Sequence, residues 1–501
     1  MIAALSNPRR PFAERCTDWY IITMLLVFPL FPGFSGYSSI TASKFVFFAA
    51  ATGLWAAALA VSILRGDRFP LHAPQYASLA YLGILFVSWL LSPDRASAFL
   101  GAGRYDGFLS SALYVLIFLG VSGFARNKLL YAKALALSVS LCALIALLQI
   151  AGGNPLRLFP DGLGYHDAGI RYSGVFLGTL GNTNVLDAVL CLSLPVFLSL
   201  YLCGRGVGFL VPVLLCVPLL HKAGGDGARL AMALALLPAL PLLLTEMPRV
   251  LRFLRALGGI LLVAALANSW QPTAALPFCF LASLSCWWFA AAGALCFALS
   301  LLPLLRRFSP SVGALHTFFL CISAALLLAG AAAVLFARES SGTLYEFRQL
   351  LRGQAEDSFG SSRLGIWRDC LRLVPERPLL GGGPGTAALR LDIQFSRYVS
   401  ETGQTLSSFV DNAHNVFLGA LINTGILGLA GLLAVLGCSA VSGFRRRRAP
   451  LFLSFSLGAM CCAIQELFGL GLCLSEPLLW LTLGIINSPD PLQSTASEAV
   501  S

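Results

Sequence analysis

The sequence predicts an all-α integral membrane protein, a polytopic bundle of about 12–14 transmembrane helices with one long extracytoplasmic loop containing short amphipathic helices. Three observations predict it. Of 501 residues, 57% are hydrophobic and 11% are charged, whereas soluble domains carry about 25% charged residues. Mean hydropathy is +0.80. The Lys and Arg residues behind the net charge of +11 fall in short clusters between apolar runs. That arrangement reads as membrane topology and lipid-headgroup contact, and it disfavours nucleic-acid binding.

The spans follow in order. Arg9, Arg10 and Arg15 precede a first apolar run, Trp19 to Pro32, which has no evident signal-peptidase site and reads as an uncleaved span. The second runs from Ser43 to Leu64, closed by Arg65 and Arg68, and the third from Tyr76 to Leu91. A short outer loop holds Arg95, Arg104, Tyr105 and Asp106, and the fourth span, Phe108 to Phe124, returns to Arg126 and Lys128. The fifth ends near Gln149. A polar outer stretch, Gly152 to Asn184, leads to the sixth (Val185 to Cys203) and seventh (Val207 to Leu220), joined by an inner turn at Arg205. The segment His221 to Arg229 opens the eighth, whose inner end carries Arg249, Arg252 and Arg255. The ninth and tenth form a hairpin with Trp270 near its outer tip, returning to Arg306 and Arg307. The eleventh ends at Phe336, the twelfth at Arg445 to Arg448, and two tight spans complete roughly fourteen, with the N-terminus inside. The expected division is a first helical part (1–337), a loop subdomain (338–410), C-terminal spans (411–489) and a polar tail (490–501).

Within the loop, Leu364, Trp367, Leu371 and Val374 recur at helical spacing, with Arg368, Asp369, Arg372 and Glu376 between them. This predicts an amphipathic helix at the membrane surface. It stops at Pro375 and Pro378, before the turn signal Gly381 to Gly385. Most of the fourteen cysteines lie inside apolar runs, so neither a structural disulfide in the loop nor a Cys/His metal site is expected.

Chemistry concentrates where outer segments meet helices. Asp411-Asn412-Ala413-His414-Asn415 precedes the apolar run Val416, Phe417, Leu418, Leu421 and Ile422. Asx residues stand where an N-cap is wanted, placing His414 in the first turn of a membrane helix at the water boundary. The positive end of that helix disfavours imidazolium and leaves His414 a neutral proton acceptor. A capping and packing histidine is the plainer role open to it. Two other outer segments also precede inward-running helices, with Asn182 or Asn184 and Asp226 as their caps. Such helix starts attract anions, and Arg171, Arg229 and Arg363 beside them are forked donors suited to a diphosphate. Arg229 lies just inside an apolar span, where an unpaired charge is costly; its plainer role is snorkelling to the interface. Trp367 suits an interface anchor as well as a sugar platform. Gly381 to Gly385 lacks the Lys-Ser/Thr of a phosphate loop, and neither a Ser-His-Asp order nor paired metal carboxylates stand out.

These pieces resemble the O-antigen ligase and polymerase superfamily of bacterial surface-polysaccharide enzymes. The matching residues are Arg171 to Phe176 with Gly181-Asn182-Thr183-Asn184, Gly227 to Ala231, Arg363 to Trp367, Pro378 to Gly385, and His414-Asn415 followed by Gly425-Ile426-Leu427-Gly428. Ala228 departs from the Ser usual before the Arg, and a hairpin near Leu257 to Leu305 looks inserted. The resemblance implies transfer of a glycan from undecaprenyl-diphosphate to an acceptor hydroxyl at the outer face of the bacterial inner membrane. It implies neither metal nor nucleotide nor other cofactor, and a glycan or lipid acceptor. The catalytic candidates are then His414, Arg229 and Arg363; the substrate-binding candidates are Arg171, Asn184, Asp411, Asn415 and Trp367. A repeat-unit polymerase and a protein O-oligosaccharyltransferase share this donor. A transporter is the more distant reading, tied to Glu466 in a late span.

Overall fold

The computed structural model describes residues 10–489 apart from 34, 68, 70, 159–165, 168–169, 172–177, 271–283, 337, 339–341, 392–393 and 400–403. The fold is helical. Long apolar runs cannot leave backbone groups unpaired in a bilayer, and a helix pairs them within one segment. The first half contains α1 (Phe12–Ile22), α2 (Phe28–Leu30), α3 (Ile40–Leu64), α4 (Ala73–Leu90), α5 (Arg95–Leu100), α6 (Phe108–Phe124), α7 (Lys128–Ile150), α8 (Thr183–Leu202), α9 (Leu210–Lys222) and α10 (Asp226–Leu243). There follow α11 (Met247–Ser269), α12 (Leu284–Leu301), α13 (Pro303–Arg307), α14 (Val312–Phe336), α15 (Thr343–Leu351), α16 (Phe359–Arg372), α17 (Val416–Arg445), α18 (Pro450–Gln465) and α19 (Glu476–Asn487). Two short antiparallel hairpins interrupt the helices, β1 (His166–Asp167) with β2 (Ile170–Arg171) and β3 (Gln394–Val399) with β4 (Gln404–Phe409).

Among the described residues, seven helices are long and apolar enough to cross a membrane: α3, α7, α8, α10, α11, α14 and α17. Shorter apolar helices, α6, α9, α12 and α18 among them, lie between these. Burial grades across the bundle. The apolar stretch of α8 is 94% buried against 11% for that of α14, so α8 is central and α14 peripheral.

Successive helices run between two faces. One face is basic. There Asp18, fully buried, accepts hydrogen bonds from Arg10 at 2.7 Å and from the hydroxyl of Tyr131, while Arg126 pairs with Glu14 at 2.9 Å. This network lets α1 begin at Phe12, ahead of the apolar run that starts at Trp19, because its charges are satisfied by one another. Arg446 donates to the Ser488 carbonyl at 2.5 Å on the same face. The opposite face carries the loops. Buried Lys44 of α3 donates to the carbonyls of Phe28 and Pro29 at 2.7 and 3.2 Å, where α2 ends and its last carbonyls lack helical partners.

The Gly-rich stretch after Pro378 does more than turn. Helix α17 breaks at Gly425, which takes φ 69° and ψ −173°. The backbone of 378–383 fills the gap: Gly382 N–H donates to Ile422 O at 3.1 Å and Gly383 N–H to Asn423 O at 2.8 Å. In return, Ile426 and Leu427 donate to Pro378 O and Leu379 O at 2.9 and 3.3 Å. The hydroxyls of Ser88 and Ser92 from the α4 end bond Leu380 O and Gly382 O at 2.7 and 2.8 Å. Much of the non-helical backbone at the break is thereby paired with protein.

The amphipathic helix forms as α16, Phe359–Arg372. Ile366 and Cys370 of α16 pack with Ala387, Leu391, Val410, Ala413 and Ile422, whereas Leu371 is exposed. One side of the helix thus sits on the α17 start, and Leu371 stays free for the membrane surface.

Candidate active site

Helix starts on the loop face build the site, and their caps differ partly from expectation. Asn182 caps α8, its side chain accepting the Asn184 N–H at 2.8 Å. The residue preceding α10 is Gly225, with Asp226 inside the first turn, so Asp226 does not cap its own helix. Before α17, Asn415 is the cap, accepting the Leu418 N–H at 3.0 Å. Asn412 instead accepts the N–H of His414 at 3.0 Å, closing an Asx turn. His414 therefore stands just ahead of the helix cap and not in the first helical turn, and it adopts a left-handed φ of 49°. The short polar side chain of Asn412 offers the backbone a partner that a helical turn would have supplied.

A cavity of about 610 Å³ opens between these starts and the loop helices. Asn184 and Asp187 line it from α8, Ala228 and Leu230 from α10, Glu346 from α15, Arg363 and Trp367 from α16, with His414 and Gln465 completing the wall. The structure thus brings together four of the sequence candidates: Asn184, Arg363, Trp367 and His414. The Trp367 indole donates to Ala413 O at 2.9 Å, tying α16 to the residue beside His414.

The electrostatics are asymmetric. Burial lowers the His414 pKa to about 4; Arg363 and Arg104 push the same way, and Asp411 opposes them. His414 is accordingly a neutral imidazole at pH 7, as the sequence argument expects, though burial outweighs any helix-end effect. Burial also lowers the Arg363 pKa, opposed by the Asp187 carboxylate. Among the described residues, neither the Arg363 guanidinium nor the His414 imidazole has a hydrogen-bond or ion-pair partner. A desolvated cation that no carboxylate bonds directly, with Asp187 acting on it only through space, draws anionic ligands.

The remaining candidates lie elsewhere. Arg229 is half exposed and occupied: its guanidinium donates to Leu220 O at 2.7 and 3.1 Å and to Asp226 at 2.6 Å. Asp226 also bonds the Thr343 hydroxyl, joining α10 to α15. Asp411 forms a two-pronged ion pair with Arg104 at 2.5 and 2.8 Å. Asn415 lines an adjoining cavity of about 120 Å³, together with Asn412, Asp106, Tyr114 and Glu476. The backbone of Arg171 pairs with His166 in the β1–β2 hairpin, and its side chain lies outside the described residues.

Arg104, Asp187, Glu346 and Gln465 were not singled out in the sequence as candidates. Arg104 stood there as a loop charge, and nothing local links it to Asp411, 307 positions away. Asp187 had a usable signal: a lone carboxylate inside the apolar run Val185 to Leu192.

No curated protein matches the chain. A family model described as O-antigen ligase matches residues 273–433, a segment that contains Arg363, Trp367, Asp411, His414 and Asn415 and begins after Arg171, Asn184 and Arg229. The loop and broken helix that hold Arg363 and His414 lie inside the segment that resembles the O-antigen ligase model, in a chain with repeated apolar helices long enough to cross a membrane.

Proposed function

We propose that this protein moves a glycan from undecaprenyl-diphosphate to an acceptor hydroxyl at the outer face of the bacterial inner membrane, without ATP or a metal ion. The observation that carries the reading is that Arg363 and His414, both without partners among the described residues, line one cavity. His414 accepts the proton of the acceptor hydroxyl as its oxygen attacks the anomeric carbon of the donor sugar. The bond from that carbon to the diphosphate oxygen breaks, and the charge left on the diphosphate is met by Arg363. The proton on the imidazole then passes to water or to the released diphosphate. Asp411 and Asn415 hold the loop on either side of His414. Asn184 and Trp367 contact the substrate. The carrier's energy is already present in its glycosyl–diphosphate bond, so no nucleotide is required.

The test is transfer by the purified full-length protein in lipid nanodiscs, with undecaprenyl-diphosphate glycan, a polysaccharide or lipid acceptor, EDTA and no ATP. His414→Ala is expected to lower kcat about 100- to 10,000-fold with donor affinity retained. Arg363→Ala is expected to weaken donor binding. Wild-type turnover in the His414 variant would sink the mechanism, and a wild-type protein that is inactive without metal or nucleotide would sink the reaction class.

A further inference from the structure

Asp187 and Gln465 have no place in the chemistry just given, yet both stand in the wall of the same cavity. They are 3% and 2% exposed. One carboxylate oxygen of Asp187 accepts the Gly225 N–H at 2.9 Å; the other, Oδ1, is buried without a hydrogen-bond partner. Oε1 of Gln465 is in the same condition. Asn184 lies one helical turn before Asp187 on α8 and lines the cavity beside it. The other carboxylates of the lining are engaged: Asp226 with Arg229 and Thr343, and Glu346 with the Gly360 N–H at 2.8 Å.

The cavity is therefore chemically divided. Arg363, Trp367 and His414 come from α16 and the loop before α17; Asp187 and Gln465 come from α8 and the end of α18. Buried acceptors lacking donors are unusual and call for a donor from elsewhere. A diphosphate offers only acceptors and negative charge at neutral pH, so it cannot satisfy this second wall. Sugar hydroxyls can, and in the reading proposed for this site a sugar ring is bonded directly to the diphosphate. We infer that Asp187 and Gln465 form a hydroxyl-reading subsite for the ring attached to the diphosphate, making them specificity residues for the donor glycan. The inference rests on that reading of the donor.

Its test uses the full-length protein in nanodiscs and two lipids, undecaprenyl diphosphate with and without a sugar. Asp187→Asn keeps an oxygen for the Gly225 N–H and replaces the other acceptor with a donor; Gln465→Leu removes its acceptor. Each variant is expected to lose affinity for the sugar-bearing lipid about three- to tenfold relative to the bare lipid, the size of one ordinary hydrogen bond; Asp187→Asn, which also removes a charge acting on Arg363, is read by that ratio. Equal weakening of both lipids, or no change in either, overturns the subsite. Arg363→Ala, measured alongside, is expected to weaken both lipids; if it weakens neither, the donor reading itself fails, whatever the wall variants do. Should a wall variant not assemble, deoxy-sugar lipids on the wild-type protein supply the same readout. Loss of affinity at a particular hydroxyl supports the subsite, and indifference to every hydroxyl overturns it.

Discussion

In the proposed mechanism His414 is a base only while uncharged, so the sign of its neighbours' influence fixes the acid side of the expected activity profile. Its pKa is lowered to about 4 by burial first, then by Arg363 and Arg104, against Asp411. The neutral form is the active one, so activity is held as pH falls through the ordinary histidine range near 6.5 and is lost only as pH drops through about 4. In a pH series of kcat/KM, which reports the free enzyme, the acid limb is expected near pH 4. Arg104→Ala removes a positive neighbour and is expected to move that limb upward; Asp411→Asn removes a negative one and is expected to move it downward. Opposite shifts from two halves of one ion pair distinguish an electrostatic role from loss of loop structure, which would lower activity in both without separating the limbs. A limb near pH 6.5 in the wild type would show that His414 is not desolvated as described.

At the scale of elements, the broken helix is the feature the sequence hid. Gly381 to Gly385 read as a turn and Val416 to Arg445 as one span; each statement holds locally, but neither implies that the backbone of 378–383 repairs the break in the second. Hydrophobic periodicity reports which side of a helix is apolar, not which backbone groups pair across some 40 positions of chain. Asn182 caps α8 as expected, but the cap of α17 was missed for a related reason: Asp411, Asn412 and Asn415 are all chemically able to cap, and only the closed turn at His414 selects Asn415. The apolar runs, by contrast, were legible because burial in a membrane needs only composition and length. Gly425 tests the break. A Cβ there would lie 2.2 Å from the carbonyl carbon and oxygen of Leu379, on a residue already at φ +69°. Gly425→Ala is expected to cost about 1–3 kcal/mol or more from backbone strain alone, read as a clear drop in thermal unfolding temperature in detergent together with loss of transfer. Gly437, whose surroundings are open, is the control: Gly437→Ala should leave both near wild type. An unchanged Gly425→Ala protein would mean that the insertion of 378–383 is not what holds the helix start.

For the whole molecule, the two faces differ in kind, and the difference makes orientation measurable. One face joins Arg10, Arg126 and Arg446 to helix ends through ion pairs and carbonyl contacts; the other holds the cavity, the α15–α16 loop and His414. Basic clusters favour the cytoplasmic side, so the cavity face is expected to look outward. The same alternation was readable from sequence because returns to the basic side, the last one excepted, are marked by Arg or Lys. What it could not deliver was the convergence of α8, α10, α16 and α18 on one cavity, which depends on packing between helices far apart in the chain. Exposed positions exist on both faces: Ser358 precedes α16, and Arg448 follows α17. In intact cells, a maleimide that cannot cross the inner membrane is expected to label Ser358→Cys and to spare Arg448→Cys, which reacts only after the membrane is opened. The unsubstituted protein, labelled in parallel, subtracts its native thiols. Labelling of Arg448→Cys from outside would invert the molecule and put the base on the cytoplasmic side, where a donor presented at the outer face cannot reach it; the transfer chemistry and the topology therefore stand on one measurement.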